Sequence, residues 1–461
     1  MTNAHDYAKA NAARFREQLK ELIRIPSVST LPERAGDMQR AAEWLADDLR
    51  RMGINNVAIL PTGGHPVVYG DWMDAGKDTP TVLVYGHYDV QPADRADGWD
   101  SDPFEPVERD GFIYARGASD DKGQMFAQLK AVEALLASGG APVNIKVLIE
   151  GEEEIGSMHL GDFVRANKDR LKADLCVISD SGMHNIDQPS IVYSLRGLLA
   201  MELEVNGPSH DLHSGQYGGT VHNPLQALAE IIAQLHNPDG SVAVPGFYDD
   251  VLPLDPEERA ELAKSAPAEA DWRKATGAPQ PWGEPGYRIH ERIGARPTLE
   301  INGIGGGFQG TGFKTVLPAK AMAKISCRLV ANQQSLRIFE LVKNYIAQIT
   351  PPTVRTELRL HSHGEPAMAD LKHPAMQAAV TAYEKGWGKR PNFVREGGTI
   401  GIVADFQHEL GLPVILMGYG LDSDGAHGPN EHYSIEMFHK GIDTAICFHQ
   451  EVGKLLGRPI V

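Results

Sequence analysis

Short apolar runs alternate with longer amphipathic segments through the first 180 residues of the chain. The runs over 81–89, 143–150 and 173–180 contain many β-branched residues and predict strands, whereas the segment 123–139 predicts a helix. Strands separated by helices of this length are typical of a parallel sheet covered by helices. We therefore predict an α/β fold for this region, with a mostly parallel, helix-covered sheet.

The pattern changes after this region. The segment 190–207 alternates apolar and polar residues and predicts one antiparallel strand, and further strands and a helix over 335–349 follow it. Helical periodicity and an apolar strand resume near the C-terminus. We divide the chain into a catalytic domain formed by 1–192 and 365–461 and, between them, an inserted α+β lid and dimerisation domain over 193–364.

Composition limits the possible partners. The 461 residues are 42% hydrophobic, enough for the cores of two or three domains, and a net charge of -17 disfavours binding to nucleic acid or anionic lipid. No apolar stretch reaches membrane-spanning length, and the N-terminus lacks the apolar core of a signal peptide. Cys176, Cys327 and Cys447 lie far apart in apolar contexts, which is typical of buried thiols in a reducing compartment. We expect a cytoplasmic protein.

Polar residues follow each predicted strand of the first region. His87 and Asp89 end the first strand, Glu150 ends the second and Asp180 ends the third. Because the carboxyl ends of parallel strands meet at one edge, these side chains should lie close together. Crowded carboxylates resist ionisation unless protons or cations intervene, and a mixed histidine and carboxylate set without thiolates favours zinc, manganese or cobalt.

Each pattern taken singly also has an ordinary structural explanation. The His87 and Asp89 pair could be a histidine satisfied by a nearby carboxylate, and either Asp120 or Asp121 could cap the helix that follows. The occurrence of many such patterns in a fixed order along one chain is a more specific signal than any single pattern. Eight segments follow one another along the chain: GHYDVQP, ARGASDDKG, EGEEEIGS, ISDSG, DLHSGQYGG, FKTVLPAKA, REGGTI and DGAHGPNE.

These segments resemble the dinuclear metallopeptidases that include carnosinases, cytosolic non-specific dipeptidase, aminoacylase and succinyl-diaminopimelate desuccinylase, and most of all the carnosinase and non-specific dipeptidase branch. The resemblance covers almost the whole chain and implies two divalent metal ions per subunit, with zinc favoured and manganese or cobalt as alternatives. It implies that His87 and Asp180 bind one ion, that Glu154 and His427 bind the other, and that Asp120 bridges them.

The same resemblance assigns catalytic roles. It implies that Glu153 is the general base, that Asp89 orients His87, and that the peptide bond between Asp120 and Asp121 is cis. A metal-activated water would be the nucleophile, and Glu153 would take its proton.

Two assignments remain open within the motifs. Three glutamates run together before IGS, and counting back from that segment selects Glu153 and Glu154, while a shift of one position would select Glu152 as the base. The segment HGPNEH offers both His427 and His432 as the last metal ligand, and the surrounding motif favours His427.

Four further residues complete the implied site. His213 would stabilise the oxyanion in the partner subunit of a homodimer, and Arg328 would bind the substrate carboxylate together with Thr315 and Thr399. Without the resemblance, His213 could be an ordinary turn histidine and Arg328 a surface residue on an edge strand.

Three other functions compete with this interpretation. GGGFQG over 305–310 matches a dinucleotide-binding fingerprint, but the strand-like sequence after it lacks the required helix. A protein that has lost catalysis is disfavoured because all five ligands and the base are present. We predict a metal-dependent dipeptidase for substrates with a free C-terminal carboxylate, and an N-acyl amino acid deacylase of the aminoacylase or desuccinylase type as the alternative.

Overall fold

The computed structural model describes residues 3–456. The chain forms two compact units, and the second is inserted into the first. The first unit contains the residues up to Tyr193, the segment Ala369–Val394 and the chain from Ile402 on, and the second contains Ser194–Met368 and Arg395–Gly401.

The end of the inserted unit differs from the sequence-based boundary. The prediction ends the inserted domain at 364 and leaves 395–401 in the catalytic domain, whereas the structure places Arg395–Gly401 in the second unit. Thr399 of this stretch contacts Arg328 and the main chain of Arg196, both within the second unit. A short polar segment of this kind has no periodicity that reveals which unit it joins.

The strands are numbered along the chain, and the central ones are apolar on both faces. They are β1 (Asn55–Leu60), β2 (Val67–Trp72), β3 (Thr81–His87), β4 (Val107–Arg109), β5 (Phe112–Tyr114), β6 (Asn144–Glu150), β7 (Leu175–Ile178), β8 (Gly182–Met183), β9 (Ser190–Leu195), β10 (Gly197–Asn206), β11 (Leu212–His213), β12 (Thr298–Gly306), β13 (Val316–Leu317), β14 (Lys320–Leu329), β15 (Arg355–Gly364), β16 (Ala367–Met368), β17 (Asn392–Arg395), β18 (Val414–Leu416), β19 (Gly420–Leu421) and β20 (His432–Ser434).

The helices are numbered in the same way. They are α1 (Ala4–Ala10), α2 (Ala12–Ile23), α3 (Ala35–Arg51), α4 (Lys122–Ala137), α5 (Leu160–Ala166), α6 (Lys168–Leu171), α7 (Ser214–Tyr217), α8 (Pro224–Ala233), α9 (Pro256–Leu262), α10 (Glu269–Thr276), α11 (Ile289–Ala295), α12 (Ser335–Ile349), α13 (Pro374–Gly386), α14 (Gly401–Glu409) and α15 (Ile435–Leu456).

The largest sheet has nine strands and a parallel centre. Its order is β1-β2-β6-β3-β7-β18-β9-β16, with β17 also paired to β9. The pairs β6–β3, β3–β7 and β7–β18 are parallel, whereas β1–β2, β2–β6, β18–β9 and β9–β16 are antiparallel. Every residue of β3 and β6 is buried, as expected for strands covered on both faces. The predicted α/β class is confirmed, and the sheet is mixed, with its parallel pairs at the centre.

Helix α4 is buried on nearly all sides although it carries several polar residues. Lys130 is completely buried and donates hydrogen bonds to Asp48 and Glu133, and Gln128 donates to the hydroxyl of Ser179. Buried charges are tolerated when they are paired in this way. The helix can therefore pass through the interior of the first unit and begin directly beside Asp120.

The segment 190–207 forms two strands instead of the single predicted strand. Strand β9 joins the nine-stranded sheet, and β10 pairs with β14 and β15 in a separate four-stranded antiparallel sheet. The chain changes sheets at Arg196 and Gly197. A Cβ atom on Gly197 would lie 2.6 Å from the carbonyl oxygen of Gly364, so this crossing requires a glycine. The alternating pattern continues through the junction and conceals it.

The second unit is an α+β structure with its own core. The four-stranded sheet, in the order β12-β14-β10-β15, packs against α8 and α12 through a cluster that includes Leu203, Leu228, Ile325 and Val342. Strand β12 ends at Gly306, an irregular stretch follows, and the next regular element is β13. The helix that a dinucleotide-binding fingerprint needs is therefore absent from this point of the chain. No helix within residues 3–456 combines the length and apolar character needed to cross a membrane.

We expect His449 of α15 to make stability depend on pH. Its side chain is fully buried, neither ring nitrogen has a hydrogen-bond partner among the described residues, and burial lowers its pKa to about 4. The unfolded chain therefore binds a proton before the folded chain does as the pH falls below about 6.5, and the folded state loses about 2 kcal/mol near pH 5 from this residue.

The change to test is His449→Gln, which cannot titrate. Both proteins are unfolded with urea near pH 7 and near pH 5. The free energy of unfolding of the variant, relative to that of the wild type, should be about 2 kcal/mol larger near pH 5 than near pH 7. A difference between the two proteins that does not change with pH would contradict this explanation.

Candidate metal centre

Two groups of three side chains could each hold a metal ion. Within each group, one possible ligand atom of every residue lies within 4.8 Å of the others, and all six residues belong to the first unit. One group consists of His87, Glu153 and Asp180, and the other of Asp120, Glu154 and His427.

The fold brings these side chains together from the ends of several strands. His87 is the last residue of β3, Asp180 follows β7, and the two glutamates follow β6, so three neighbouring strands deliver ligands to one edge. Asp120 lies two residues before α4, and its peptide bond to Asp121 is cis, as the resemblance implies. His427 lies on the loop between β19 and β20.

Asp120 faces both groups. Its Oδ1 lies 3.2 Å from Nε2 of His87, and its Oδ2 lies 3.0 Å from Nε2 of His427. The same His427 nitrogen is 3.1 Å from Oε2 of Glu154, and Nε2 of His87 is 3.7 Å from Oδ2 of Asp180. One carboxylate with an oxygen directed to each histidine has the placement of a ligand shared by two ions.

Asp89 contacts three residues of this centre. The main-chain oxygen of Asp89 accepts a hydrogen bond from Nδ1 of His87 at 3.0 Å, and the Asp89 carboxylate lies 3.4 Å from the same nitrogen. The two carboxylate oxygens also accept the main-chain N–H groups of Glu153 and Glu154, each at 3.1 Å. Asp89 is therefore placed to orient His87, and it fixes the backbone of both glutamates as well.

The remaining glutamates of the run have other partners. Glu150 accepts hydrogen bonds from the hydroxyls of Tyr85 and Ser157, and Glu152 contacts Nδ1 of His159 at 2.8 Å. Neither glutamate belongs to a ligand group. This geometry favours Glu153 and Glu154 as the functional pair.

His432 lies apart from both ligand groups. Its Nδ1 is 2.9 Å from the main-chain oxygen of Asn430, and its ring stacks on Tyr114 with the centroids 4.9 Å apart. His427, in contrast, has φ of 62°, a conformation in which its side chain reaches Asp120. The geometry therefore favours His427 over His432 as the ligand.

The electrostatics of the centre show an excess of negative charge. Burial, together with the charge of Asp120, raises the pKa of Asp180 to about 7, and burial raises the pKa of Glu153 well above its usual range. Contacts with Asp120 and Glu154 raise the pKa of His427 to about 10. Burial opposes the charged form of Asp120, yet His427 and His87 lower its pKa. Without cations, Asp180 and Glu153 therefore tend to hold protons. Asp120, in contrast, stays ionised, and His427 becomes charged.

The donor set fits divalent metal ions. Burial opposes the charged form of His87, yet Asp120 and Asp89 raise its pKa well above 6.5. Its buried Nε2 lies 3.2 Å from Oδ1 of Asp120 but forms no well-aligned hydrogen bond among the described residues. A buried imidazole nitrogen that faces carboxylates in this way has the arrangement of a metal ligand. Positive ions at this position would offset the repulsion among the carboxylates.

Comparison with known proteins agrees with this geometry. The model of peptidase family M20/M25/M40 matches residues 83–450. A Cys-Gly metallodipeptidase of Schizosaccharomyces pombe is 34% identical over 460 residues, which cover 96% of this chain and 96% of that protein. The human Beta-Ala-His dipeptidase is 32% identical over 471 residues, covering 97% of this chain and 92% of the relative.

This chain belongs to peptidase family M20/M25/M40. The crystal structure of an M20 family metallo-carboxypeptidase from Sulfolobus solfataricus has the same fold, with a TM-score of 0.86, 33% identity and coverage of 96% of this chain and 99% of that one. The predicted family is confirmed, and the chain is a metallopeptidase. The oxidoreductase and non-catalytic interpretations are therefore set aside.

The second unit of this M20 family chain carries the other four predicted site residues. His213 is exposed at the start of α7, and its Nδ1 accepts the main-chain N–H of Gly215 at 3.0 Å. Thr315 is also exposed, and its main-chain oxygen accepts the N–H of Ser214 at 3.1 Å. These hydrogen bonds hold the His213 and Thr315 segments side by side.

Arg328 and Thr399 lie together, and they adjoin a residue that the sequence analysis missed. Nη1 of Arg328 donates to Oγ1 of Thr399 at 2.7 Å, and that hydroxyl donates to the main-chain oxygen of Arg196 at 2.6 Å. Burial and the charge of Arg328 lower the pKa of Arg196 to about 10. Within residues 3–456 neither guanidinium forms an ion pair, although the charge of Glu300 acts to raise the pKa of Arg196. The charge of Arg196, which stands among the apolar residues of 190–207, was the available signal.

Substitution of the two adjacent glutamates should distinguish their roles. Glu153→Gln removes a group that faces His87 and Asp180, and we expect activity to fall by about 10²- to 10⁴-fold while metal content stays near that of the wild type. Glu152→Gln is the matched control, because Glu152 contacts His159 outside both groups, and its loss of activity should be much smaller.

Metal analysis and initial rates on the same preparations provide the measurement. Retained turnover in Glu153→Gln would contradict its role as the base, and loss of bound metal would make Glu153 a ligand instead.

Proposed function

We propose that this metallopeptidase is a dipeptidase that hydrolyses dipeptides with a free C-terminal carboxylate. The observation that carries the proposal is the position of Asp120, whose two oxygens face the two histidines of neighbouring ligand groups. The relatives named as a Cys-Gly metallodipeptidase and a Beta-Ala-His dipeptidase match nearly the whole chain, which supports this substrate class.

We propose that two divalent ions bind here, with zinc favoured and manganese or cobalt as alternatives. His87 and Asp180 would hold one ion, Glu154 and His427 the other, and Asp120 both. Bound ions of this type polarise the scissile carbonyl and make an attacking water more acidic. Oxygen and imidazole donors suit all three metals.

Glu153 would move the proton of the reaction. Its carboxylate would accept a proton from the attacking water and deliver it to the leaving nitrogen of the dipeptide. Burial raises the pKa of the Glu153 carboxyl group above its usual range, which favours its holding the proton before passing it on. Asp89 would keep this carboxylate in place through the N–H group of Glu153.

The second unit would recognise the end of the substrate. The guanidinium of Arg328 would bind the substrate carboxylate in two hydrogen bonds. Thr315 would be a further donor, and Thr399 would be another once its hydroxyl turns away from the main-chain oxygen of Arg196. Arg196 adds positive charge beside Arg328, which supports an anionic group at this position.

We further propose that the chain forms a homodimer through the second unit, so that His213 donates to the oxyanion in the partner subunit. The second unit exposes large apolar side chains, with Phe313 at 91%, Ile304 at 61% and Phe308 at 46% exposure. Exposed apolar residues concentrated in one part of a unit are typical of an interface. His213 is itself exposed, and its Nε2 is free to donate because its Nδ1 accepts from Gly215.

A cytoplasmic location is also part of this proposal. The three cysteines are free and buried, as expected in a reducing compartment.

A substrate panel tests the proposed function. We expect protein reconstituted separately with zinc and manganese to cleave dipeptides and to be much slower on dipeptide amides, which lack the carboxylate for Arg328. N-acyl amino acids should also be poor substrates. Liberated amino acids are measured by chromatography. Faster release from N-acyl amino acids would favour the deacylase alternative, and equal rates on amides would contradict the role of Arg328.

His213→Ala should reduce turnover by about 10²- to 10³-fold, the usual effect of losing one oxyanion donor, with a smaller change in KM. A mixture of His213→Ala and Glu153→Gln subunits tests the partner contribution, because a mixed dimer has one site with both residues intact. Recovery of activity after mixing is the expected result, and a mixture as inactive as its components would contradict donation across subunits.

A further inference from the structure

Glu431 is a fully buried carboxylate with an unusual number of donors. Its Oε2 accepts hydrogen bonds from Nη1 of Arg116 at 2.7 Å and from the N–H of Gly117 at 3.0 Å. Its Oε1 accepts the N–H groups of Ser119 at 2.9 Å and of Asp120 at 3.1 Å. One carboxylate thus holds the backbone of the loop that ends in the shared ligand Asp120.

Two further hydrogen bonds join the Asp120 loop to the loop that carries His427. The hydroxyl of Ser119 donates to Asp424 at 2.8 Å, and Nη2 of Arg116 donates to the main-chain oxygen of Gly428 at 3.2 Å. Asp424 and Gly428 flank His427, and Glu431 itself lies four residues beyond it. The Asp120 loop and the His427 loop are therefore held together by one polar network.

The network needs a negative charge at Glu431. Each oxygen of the Glu431 carboxylate accepts hydrogen bonds from two donors. In a glutamine at this position, either orientation of the side-chain amide would place its NH₂ group, itself a donor, against two of these donors. The guanidinium of Arg116 is only 3% exposed and would lose its charged partner. Breaking a buried pair in this way displaces the groups that it held.

We propose that Glu431 is a positioning residue for the metal centre, setting the distance between Asp120 and His427. This inference rests on the proposed function, since it takes those two residues to be metal ligands. Groups that orient metal ligands typically change metal affinity by about 10- to 100-fold when they are replaced. Both ions depend on Asp120, but only the ion held by His427 depends on both loops. Replacing Glu431 should therefore weaken the binding of that ion more than the binding of the other.

The test is a zinc titration of metal-free protein against a chromophoric chelator. We expect Glu431→Gln to weaken zinc binding by about 10- to 100-fold, with the larger loss in one of two binding steps. Glu431→Asp keeps the charge and should recover part of the affinity. The matched control is Asp48→Asn, which removes another buried, paired carboxylate of the first unit and should leave zinc affinity unchanged.

Unchanged zinc affinity in Glu431→Gln would overturn the inference, and so would an equal loss in Asp48→Asn, which would indicate general destabilisation. If Glu431→Gln does not fold, Glu431→Asp provides the test. Its shorter side chain should weaken zinc binding, and a Glu431→Asp protein that binds zinc as tightly as the wild type would also overturn the inference. Asp120→Ala and His427→Ala test the proposed metal centre separately: if these two variants bind two zinc ions normally, the centre itself is wrong.

Discussion

Repulsion among carboxylates confined at one sheet edge is the constraint on which this structure depends. Each acidic group there is buried or partly buried, where an unpaired charge is costly. The chain meets this constraint by giving each carboxylate its own partners. Glu150 accepts hydrogen bonds from two hydroxyl groups, Glu152 contacts the imidazole of His159, and Glu154 accepts a hydrogen bond from the side chain of Gln91. The groups that still face one another are those around the two histidines, where divalent ions would supply the missing positive charge.

The supporting residues act on the backbone as much as on side chains. Asp89 accepts the N–H groups of both glutamates, and Glu431 accepts three N–H groups of the loop that leads to Asp120. Holding the backbone fixes where a side chain begins, so a short carboxylate such as Asp120 can only reach positions close to that point. The parallel centre of the sheet has the complementary effect, since it places the ends of β3, β6 and β7 next to one another.

The second unit has a simpler electrostatic character. Arg196 and Arg328 lie close together without an ion pair in the described part of the chain, and burial lowers the pKa of both guanidinium groups. A site that keeps two unpaired cations is suited to an anion such as a peptide carboxylate. Under the proposed function, the second unit would recognise the substrate carboxylate and the first unit would bind the metal ions.

The sequence by itself determined the α/β class and the family, and it singled out His87, Asp120 and Asp180, because apolar periodicity and motif order are local properties of the chain. The chain also revealed that His87, Asp180 and the glutamates end neighbouring strands. Only the tertiary structure showed that Glu153 and His427 lie within the ligand groups while Glu152 and His432 lie outside them, and where strand β9 ends and β10 begins. These assignments depend on which distant residues each side chain contacts in the folded chain, and spacing along the sequence does not predict those contacts. Glu431 and Arg196 escaped notice for the same reason, since their roles arise from groups brought together by folding.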